Sequence, residues 1–189
     1  MANPSVSEAA AGLSVASPVP SLQADDFALL GLPRRFALDR ATLDERWKQL
    51  QRQTHPDRFA TQGAAAQRVA MQWSVRVNEA YARLKDPIKR AAYWCELHGV
   101  PVRADSNTAM PPDFLMQQMQ WREALDEASD EAAVQALLDD VRQTRDRLLA
   151  DLAQAIDQRQ DAQAAVSHVR ALMFVERFAE DLYHRLERL

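Results

Sequence analysis

Residues that break helices fall at a few places in this chain. The sequence has only four glycines in 189 residues, while alanine, leucine, glutamine and arginine, which favour helices, are abundant. The main breaks are Gly99-Val100-Pro101 and Pro111-Pro112, where a glycine can cap a helix and a proline cannot continue one. This pattern predicts an all-α protein with two helical units, residues 25–99 and residues 113–189, joined by a linker at residues 100–112.

The first 24 residues differ from the rest in composition. They are rich in Ala, Ser, Val and Pro, and Glu8 is their only charged side chain. A secretory signal has a basic start and an unbroken apolar run, and a transit peptide has arginines; this segment has neither. We therefore expect residues 1–24 to be a disordered tail, with a targeting role as the alternative.

Apolar spacing predicts where the helices lie. In the first unit, a short apolar segment precedes a helix that begins after the N-cap Asp39 and ends near Thr54, because Pro56 disfavours helical backbone at the preceding residue. Two more helices follow, at about residues 64–85 and from Asp86-Pro87 to Gly99. In the second unit, three amphipathic helices with short connections predict a bundle, at about residues 113–128, 131–159 and 162–188.

Charge and cysteine content exclude several classes of protein. The net charge is −4, divided as +4 over residues 25–99 and −7 over residues 100–189, which is too little positive charge to favour nucleic-acid binding. No stretch approaches the roughly 18 to 20 apolar residues that span a bilayer. A single cysteine, Cys95, excludes an internal disulfide and a multi-cysteine zinc site. We expect a cytoplasmic protein with no metal and no cofactor.

One tripeptide, His55-Pro56-Asp57, lies in the predicted loop between two helices. Pro56 stiffens the loop and lowers the entropy cost of presenting a binding surface. The carboxylate of Asp57 suits pairing with an arginine of another protein. Three basic residues, Lys48, Arg52 and Arg58, form a predicted solvent-facing strip beside it. A charged helix face is more often plain solvated surface, so the strip carries weight only together with the loop.

The residues that follow the tripeptide make a more specific pattern. Asn78-Glu79-Ala80-Tyr81 comes next, with Leu84 and Asp86-Pro87 behind it. This order resembles the signature of the J-domain family. The resemblance implies a J-domain, a helical hairpin plus short helices, that triggers ATP hydrolysis on a heat-shock chaperone ATPase, with the basic strip docked on that ATPase. The chain has no nucleotide-binding loop of its own, so we expect a co-chaperone without catalytic residues, not an enzyme.

The first helix of the second unit has apolar residues on more than one face. Phe114, Trp121 and Leu125 share a predicted core face, whereas Leu115, Met116 and Met119 project away from it near Arg122 and Glu123. Phe174, in the last helix, also lies off the predicted core line. The pattern predicts an exposed apolar patch with a charged rim, which suits protein binding. The alternative is a wider core that buries Leu115 or Phe174.

Three runs, residues 114–127, 51–59 and 97–99, are similar to the HscB family, the J-type co-chaperones of iron–sulfur cluster biogenesis. The resemblance implies an HscA-type chaperone and an IscU-type scaffold protein as partners. It also implies the scaffold-binding residues Leu115, Met116, Met119, Arg122, Glu123, Glu127 and Phe174. The chain departs from the family pattern at Met119, where leucine is usual and methionine can fill the same pocket. It also departs at Gln120 and Met173, which puts individual salt bridges in doubt but not the apolar patch.

Other functions stay open at the level of sequence. A J-domain co-chaperone that delivers a different client to a DnaK-type chaperone would use the same patch. A helical hydrolase or metal protein would use the four histidines, which are dispersed along the chain: His55, His98, His168 and His184. A purely structural bundle would stimulate no chaperone ATPase.

Overall fold

The computed structural model describes residues 21–102 and 110–189, and in these stretches the regular secondary structure is helical, without strands. The predicted all-α class is therefore confirmed. Backbone contacts divide the chain into two compact units, residues 1–89 and residues 90–189. The predicted disordered tail lies outside the described residues except for its last four positions, and most of the predicted linker, residues 103–109, lies outside them as well.

The first unit contains α1 (Asp26–Leu29), α2 (Arg40–Thr54), a 3₁₀ turn (Pro56–Phe59) and α3 (Ala64–Lys85). The Asp39 side chain accepts a hydrogen bond of 2.8 Å from the backbone N–H of Thr42, so the predicted N-cap of α2 is confirmed. Helix α2 ends at Thr54, as the proline at position 56 predicts. Thr54 itself is buried, and its hydroxyl donates to the Leu50 carbonyl at 2.9 Å.

Helices α2 and α3 form an antiparallel hairpin joined by polar side chains. The Trp47 indole N–H donates to the Asn78 side chain at 2.9 Å, and the Tyr81 hydroxyl donates to the Asp44 carboxylate at 2.9 Å. The rings of Trp47 and Tyr81 stack with centroids 4.6 Å apart. Between the helices lie small and aliphatic side chains with almost no exposure, among them Leu43, Val77, Ala80 and Leu84.

Helix α1 is fastened to α3 by a buried carboxylate. The Asp26 side chain is fully buried and lies 2.7 Å from a guanidinium nitrogen of Arg76 and 2.9 Å from one of Arg83. Arg76 also donates to the carbonyls of Leu22 and Ala24, at 3.4 and 2.8 Å. These last residues of the predicted tail are thus bound to α3.

Helix α4 (Pro87–Leu97) begins as predicted, because the Asp86 carboxylate accepts hydrogen bonds from the backbone N–H groups of Ile88 and Lys89, at 2.9 and 3.1 Å. The division between the compact units falls inside this helix, between Lys89 and Arg90. The reason is that the second half of α4 packs within the second unit. Cys95 there is buried, and its sulfur lies 3.9 Å from the Ala162 carbonyl oxygen.

The second unit continues with α5 (Pro112–Glu127), α6 (Glu131–Ala153) and α7 (Ala162–Leu186). Arg142 of α6 bonds to Tyr183 and Arg145 of α6 bonds to Glu176, so α6 and α7 run antiparallel. The core where the three helices meet contains Trp121, Val134, Leu138, Val141, Val175, Phe178 and Leu182. Side-chain caps at Asp130 and Asp161 start α6 and α7.

The apolar spacing predicts one regular α-helix from residue 131 to residue 159, but the regular α-helix α6 ends at Ala153. Residues Gln154–Arg159 form a π-helical turn, and Gln160 then takes a left-handed conformation with φ 52°. The wider turn still directs Ala155 and Ile156 into the core, where both are fully buried. Hydrophobic periodicity therefore predicts the buried residues but not the change of helix type.

Candidate partner-binding sites

The loop between α2 and α3 presents the His55-Pro56-Asp57 tripeptide. The backbone at His55 is extended, with φ −63° and ψ 128°, which Pro56 favours at the preceding residue. A 3₁₀ turn then begins at Pro56, closed by a hydrogen bond of 3.1 Å from the Arg58 N–H to the His55 carbonyl. A stiff turn thus fixes the direction in which Asp57 leaves the backbone.

The carboxylate of Asp57 points into solvent. Its side chain is 89% exposed, and that of His55 is 54% exposed. Nδ1 of His55 accepts a hydrogen bond of 3.3 Å from the backbone N–H of Asp57. The same Nδ1 lies 3.5 Å from Oδ2 of Asp57, which is an ion pair only when the imidazole is protonated. At this exposure the carboxylate is available to a cation on another protein.

The predicted basic strip is solvent-facing, since Lys48, Arg52 and Arg58 are all exposed. The Arg58 guanidinium donates to the carbonyl of Arg52 at 3.1 Å, which ties the loop to the last turn of α2. The positive charges therefore lie in one row that leads to the tripeptide. Their exposure is confirmed, and their role in binding stays a prediction.

The Asn-x-Ala-Tyr part of the signature has a structural explanation. Asn78 and Tyr81 bond to α2, and Ala80 is fully buried between the helices, where a larger side chain would not fit without movement. Gln51 adds hydrogen bonds to the Asn78 side chain and to the Ser74 carbonyl, the latter at 3.5 Å. These residues hold the hairpin whose end carries the loop. The contribution of Gln51 and Ser74 was not predicted from the sequence.

The second candidate site lies on α5. Leu115, Met116 and Met119 are 43%, 58% and 71% exposed, and we refer to them as the α5 patch. The charged residues of its rim, Arg122, Glu123 and Glu127, are also exposed. The opposite face of α5 is held in the core by Trp121, whose indole N–H donates to the Asp140 carboxylate at 2.7 Å.

The predicted exposure of Phe174 is wrong. Phe174 is half-buried and packs against the core of the second unit. Its ring meets that of Phe114 edge-on at 5.9 Å and stacks with that of Phe178 at 6.1 Å. The guanidinium carbon of Arg122 lies 6.0 Å from the centre of the same ring, at the limit of a cation–π contact. Phe174 therefore supports the α5 patch from below instead of projecting from the surface.

The cause is the width of the α7 core face, which the sequence pattern underestimates. Phe178 is buried and stacks on Trp121 with ring centroids 5.6 Å apart. It lies outside the apolar stripe that the spacing predicts for this helix, which contains Val169, Leu172, Val175, Ala179, Leu182 and Leu186. Because α5 packs beside α6, α7 buries a second row of side chains toward α5. The four-residue spacing of Phe174 and Phe178 is the signal that would have revealed this row.

The histidines and the cysteine show no common site. His98 stacks on Trp94 at 3.7 Å and His184 lies near Glu187, while burial lowers the pKa of His168 below its ordinary value of 6.5. Burial also raises the pKa of the Cys95 thiol to about 11. Within the two described stretches, no group of three His, Cys, Asp or Glu side chains is arranged to hold a metal ion. In those same stretches no helix is both long and apolar enough to cross a membrane.

Comparison with known proteins identifies the family. Residues 110–183 match a family model described as the HSCB C-terminal oligomerisation domain. The chain is 52% identical over 163 residues to a protein of Bordetella avium (strain 197N) named co-chaperone protein HscB homolog. The aligned residues make up 85% of this chain and 97% of that relative. This chain belongs to the HscB family of co-chaperones. A Burkholderia thailandensis HscB homolog is 49% identical over 172 residues, 89% of this chain and 98% of that relative.

Solved HscB structures agree with the fold. HscB of Vibrio cholerae has a TM-score of 0.80 at 34% identity and covers 87% of this chain and 99% of its own. Human HscB has a TM-score of 0.82 at 28% identity, and the match covers 90% of this chain and 86% of the human chain. The predicted architecture, an N-terminal J-domain followed by a C-terminal helical domain, is thereby confirmed. HscB relatives are named co-chaperones and not enzymes, and membership of their family implies a role in iron–sulfur cluster assembly.

Proposed function

We propose that this HscB-family protein binds an IscU-type scaffold protein and stimulates the ATPase of an HscA-type chaperone, which assists maturation and transfer of iron–sulfur clusters. The proposed boundaries are residues 25–99 for the J-domain, residues 100–112 for the linker and residues 113–189 for the scaffold-binding bundle. The proposed place of action is the cytoplasm. The observation that carries the proposal is the exposed Asp57 carboxylate at the end of a braced helical hairpin.

The proposed action on the chaperone begins with charge. The basic strip, Lys48, Arg52 and Arg58, attracts an acidic surface and raises the rate of encounter. The stiff turn at Pro56 then brings Asp57 against a cation of the chaperone, where a paired carboxylate forms a strong hydrogen bond. His55 orients the turn through its contact with the Asp57 N–H. If these contacts form only with the hydrolysis-competent conformation of the chaperone, they favour that conformation over the chaperone's other conformations.

The proposed action on the scaffold uses apolar contact. The α5 patch supplies three flexible or branched side chains that bury their exposed area on binding, and the rim of Arg122, Glu123 and Glu127 supplies charge pairs that fix orientation. Phe174 and Arg122 give the patch a firm base. A protein that holds both partners at once raises the local concentration of scaffold at the chaperone.

The experiment is a steady-state ATPase assay of the HscA-type chaperone with and without this protein and the scaffold. Wild type should raise the rate, and the Asp57→Ala variant should leave it at the chaperone's basal value with an unchanged melting temperature, since the side chain touches little of its own protein. Asp146→Ala, which alters a carboxylate 78% exposed on α6, is the matched control. Full stimulation by Asp57→Ala would refute the assigned role.

A second arm tests the scaffold. Changing Leu115, Met116 and Met119 together to Ser should weaken scaffold binding by about 100-fold and leave the stimulation seen without scaffold intact. Calorimetric titration with the isolated scaffold measures the affinity. Unchanged scaffold affinity in this variant, together with capture of an unrelated client through the same patch, would instead support delivery of that client to a DnaK-type chaperone.

A further inference from the structure

Helix α5 has a smaller buried face than the two helices beside it. Of its 16 residues, all of which lie in the described stretch 110–189, only Trp121 is buried, whereas α6 contributes five buried residues and α7 eight. The N-cap residue, Pro111, makes no side-chain capping hydrogen bond. An element with so few buried side chains is among the parts of a domain that open or shift most readily. This helix is nevertheless the one that carries the α5 patch.

Two hydrogen bonds tie α5 to its neighbours. The Trp121 indole N–H donates to the Asp140 carboxylate of α6 at 2.7 Å. The Arg185 guanidinium of α7 donates at 3.2 Å to the carbonyl of Ala128, the residue that follows α5. Ring contacts with α7 add to these bonds, but aromatic pairs are favourable over centroid separations of roughly 4.5 to 7 Å, whereas a hydrogen bond from nitrogen to oxygen weakens beyond about 3.2 Å. The rings therefore hold α5 in the core, and the hydrogen bond at Trp121 fixes where it lies.

The acceptor for this buried indole N–H is a surface carboxylate. Trp121 is 3% exposed, whereas Asp140 is exposed to solvent and comes from a different helix. Removing the carboxylate leaves a buried donor without an acceptor, which costs more than the hydrogen bond itself contributes. The indole can regain a partner by turning toward water, and α5 has to move with it because the ring extends directly from that helix.

A shift of Trp121 also moves the α5 patch. Met116 and Met119 lie within two turns of Trp121 on the same helix, and Arg122 of the rim is its direct neighbour. A binding site keeps its affinity only when its side chains are held within about 0.5 Å of the productive arrangement. A carboxylate on α6 thus controls how the side chains of α5 are presented.

We propose that Asp140 is a positioning residue for scaffold binding: its hydrogen bond with Trp121 holds α5 in the orientation in which the α5 patch and its rim fit the scaffold. The inference rests on the proposed function. Asp140 acts through Trp121 and not by contact with the scaffold, so the affinity of the α5 patch depends on a residue of another helix. The sequence gives no sign of this role, because the two residues are 19 positions apart.

The test is a calorimetric titration of the full chain with the IscU-type scaffold, at a temperature at which circular dichroism shows every variant to be folded. In Asp140→Ala the scaffold Kd should rise about fivefold. In Asp140→Asn it should stay near the wild-type value, because the amide oxygen still accepts from the indole. Asp139→Ala is the matched control: it removes the neighbouring carboxylate, which is 63% exposed and pairs with Arg142, and should bind like wild type.

A double-mutant cycle distinguishes positioning from direct contact. Trp121→Phe keeps a ring beside Phe178 but removes the donor, so scaffold affinity should fall by a similar factor, and Asp140→Ala should add little in that background. Losses that simply add, or a loss in Asp140→Ala alone, would mean that Asp140 contacts the scaffold itself and would overturn the proposal. Stimulation of the chaperone ATPase measured without scaffold should be the same in all these variants, since the tripeptide is intact.

Hydrogen exchange of the free protein separates positioning from general stability. In Asp140→Ala the backbone amides of α5 should exchange faster than in wild type, while those of α6 and α7 keep their rates. Equal acceleration in all three helices would show that Asp140 stabilises the whole unit, and the positioning role would be wrong. If wild type binds the scaffold and Asp140→Ala binds it equally tightly, the inference fails while the proposed function stands. If wild type does not bind the scaffold, the proposed function fails and the inference with it.

Discussion

The two units join their helices by different means. In the first unit, the buried Asp26 carboxylate pairs with two arginines of α3, and Gln51, Trp47 and Asp44 bond across the hairpin. In the second unit, four rings from α5 and α7 pack in one row: Phe114, Phe174, Phe178 and Trp121. Ion pairs and hydrogen bonds thus add to the apolar core in positioning α1 and α3, whereas a row of packed rings is the main contact between α5 and α7.

The candidate sites differ in the same way. The tripeptide lies on a loop whose decisive side chain, Asp57, makes little contact with the rest of its unit. The α5 patch and the ring row share helix α5, and Phe174 of the row lies beside Phe114 and 6.0 Å from the guanidinium carbon of Arg122 in the rim of the patch. Substitutions at the loop are therefore expected to separate function from stability, and substitutions beneath the patch are expected to change both. Three predictions test how each unit is held together and how far the α5 patch is separate from its core.

The largest effect on stability is expected at Asp26. Replacing it with Asn removes the charge that Arg76 and Arg83 share, and because both arginines keep partial exposure to solvent, the free energy of unfolding should fall by about 2–3 kcal/mol. Urea unfolding followed by circular dichroism measures the change, with Asp146→Asn as the surface control. A loss no larger than that of the control would mean that hydrogen bonds, and not charge, hold α1 on α3.

The next effect concerns Phe174→Ala. Because the ring is half-buried among Phe114 and Phe178, we expect a loss of about 1–2 kcal/mol in the free energy of unfolding, less than for a fully buried phenylalanine. Scaffold affinity should fall as well, since the base of the α5 patch is removed. In contrast, changing the exposed residues Leu115, Met116 and Met119 to Ser should leave stability within about 0.5 kcal/mol of wild type.

The Phe174→Ala variant and the triple Ser variant of the α5 patch are compared by differential scanning calorimetry, which measures stability, and by titration with the scaffold, which measures affinity. Equal destabilisation by both would show that the α5 patch also belongs to the core. Weakened scaffold binding by Phe174→Ala without loss of stability would show that the ring is a surface contact after all.

The smallest effect is a pH dependence in the first unit. Burial alone would raise the pKa of Asp25, but the hydrogen bond from the Ala28 N–H at 3.0 Å and the contact with Arg34 outweigh it and hold the pKa below its ordinary value of 3.8. A carboxyl whose pKa is lower in the folded state stabilises the fold above about pH 4 and loses that contribution as pH falls through the folded value.

The Asp25→Asn variant lacks this titration. Its stability should therefore be lower than that of wild type at neutral pH, and the difference should close as the solution is acidified toward pH 2. Denaturant unfolding at a series of pH values measures it. A difference that stays constant with pH would mean that Asp25 acts only as a hydrogen-bonding cap.

Much of this protein was predictable from local sequence. Asp39 caps α2, Pro56 ends that helix, and Asp86-Pro87 begins α4, each because the chemistry lies within a few residues of the chain. The exposure of Asp57 and of the α5 patch was predictable too. Asp57 follows a proline in a loop, and the α5 patch lies opposite the Trp121 face of its helix, so local sequence already directs these side chains away from their own core.

The tertiary structure alone decided which helix faces meet. Phe174 joined the core because α5 packs against that side of α7, and the second half of α4 packed within the second unit. Met71 and Val75 stayed in solvent because no element within residues 21–89 covers that face of α3. Helical periodicity gives the angle of each side chain around its own axis, but it does not say from which direction a neighbour arrives. That direction depends on contacts between residues far apart in sequence, such as Trp121 with Phe178 and Gln51 with Ser74.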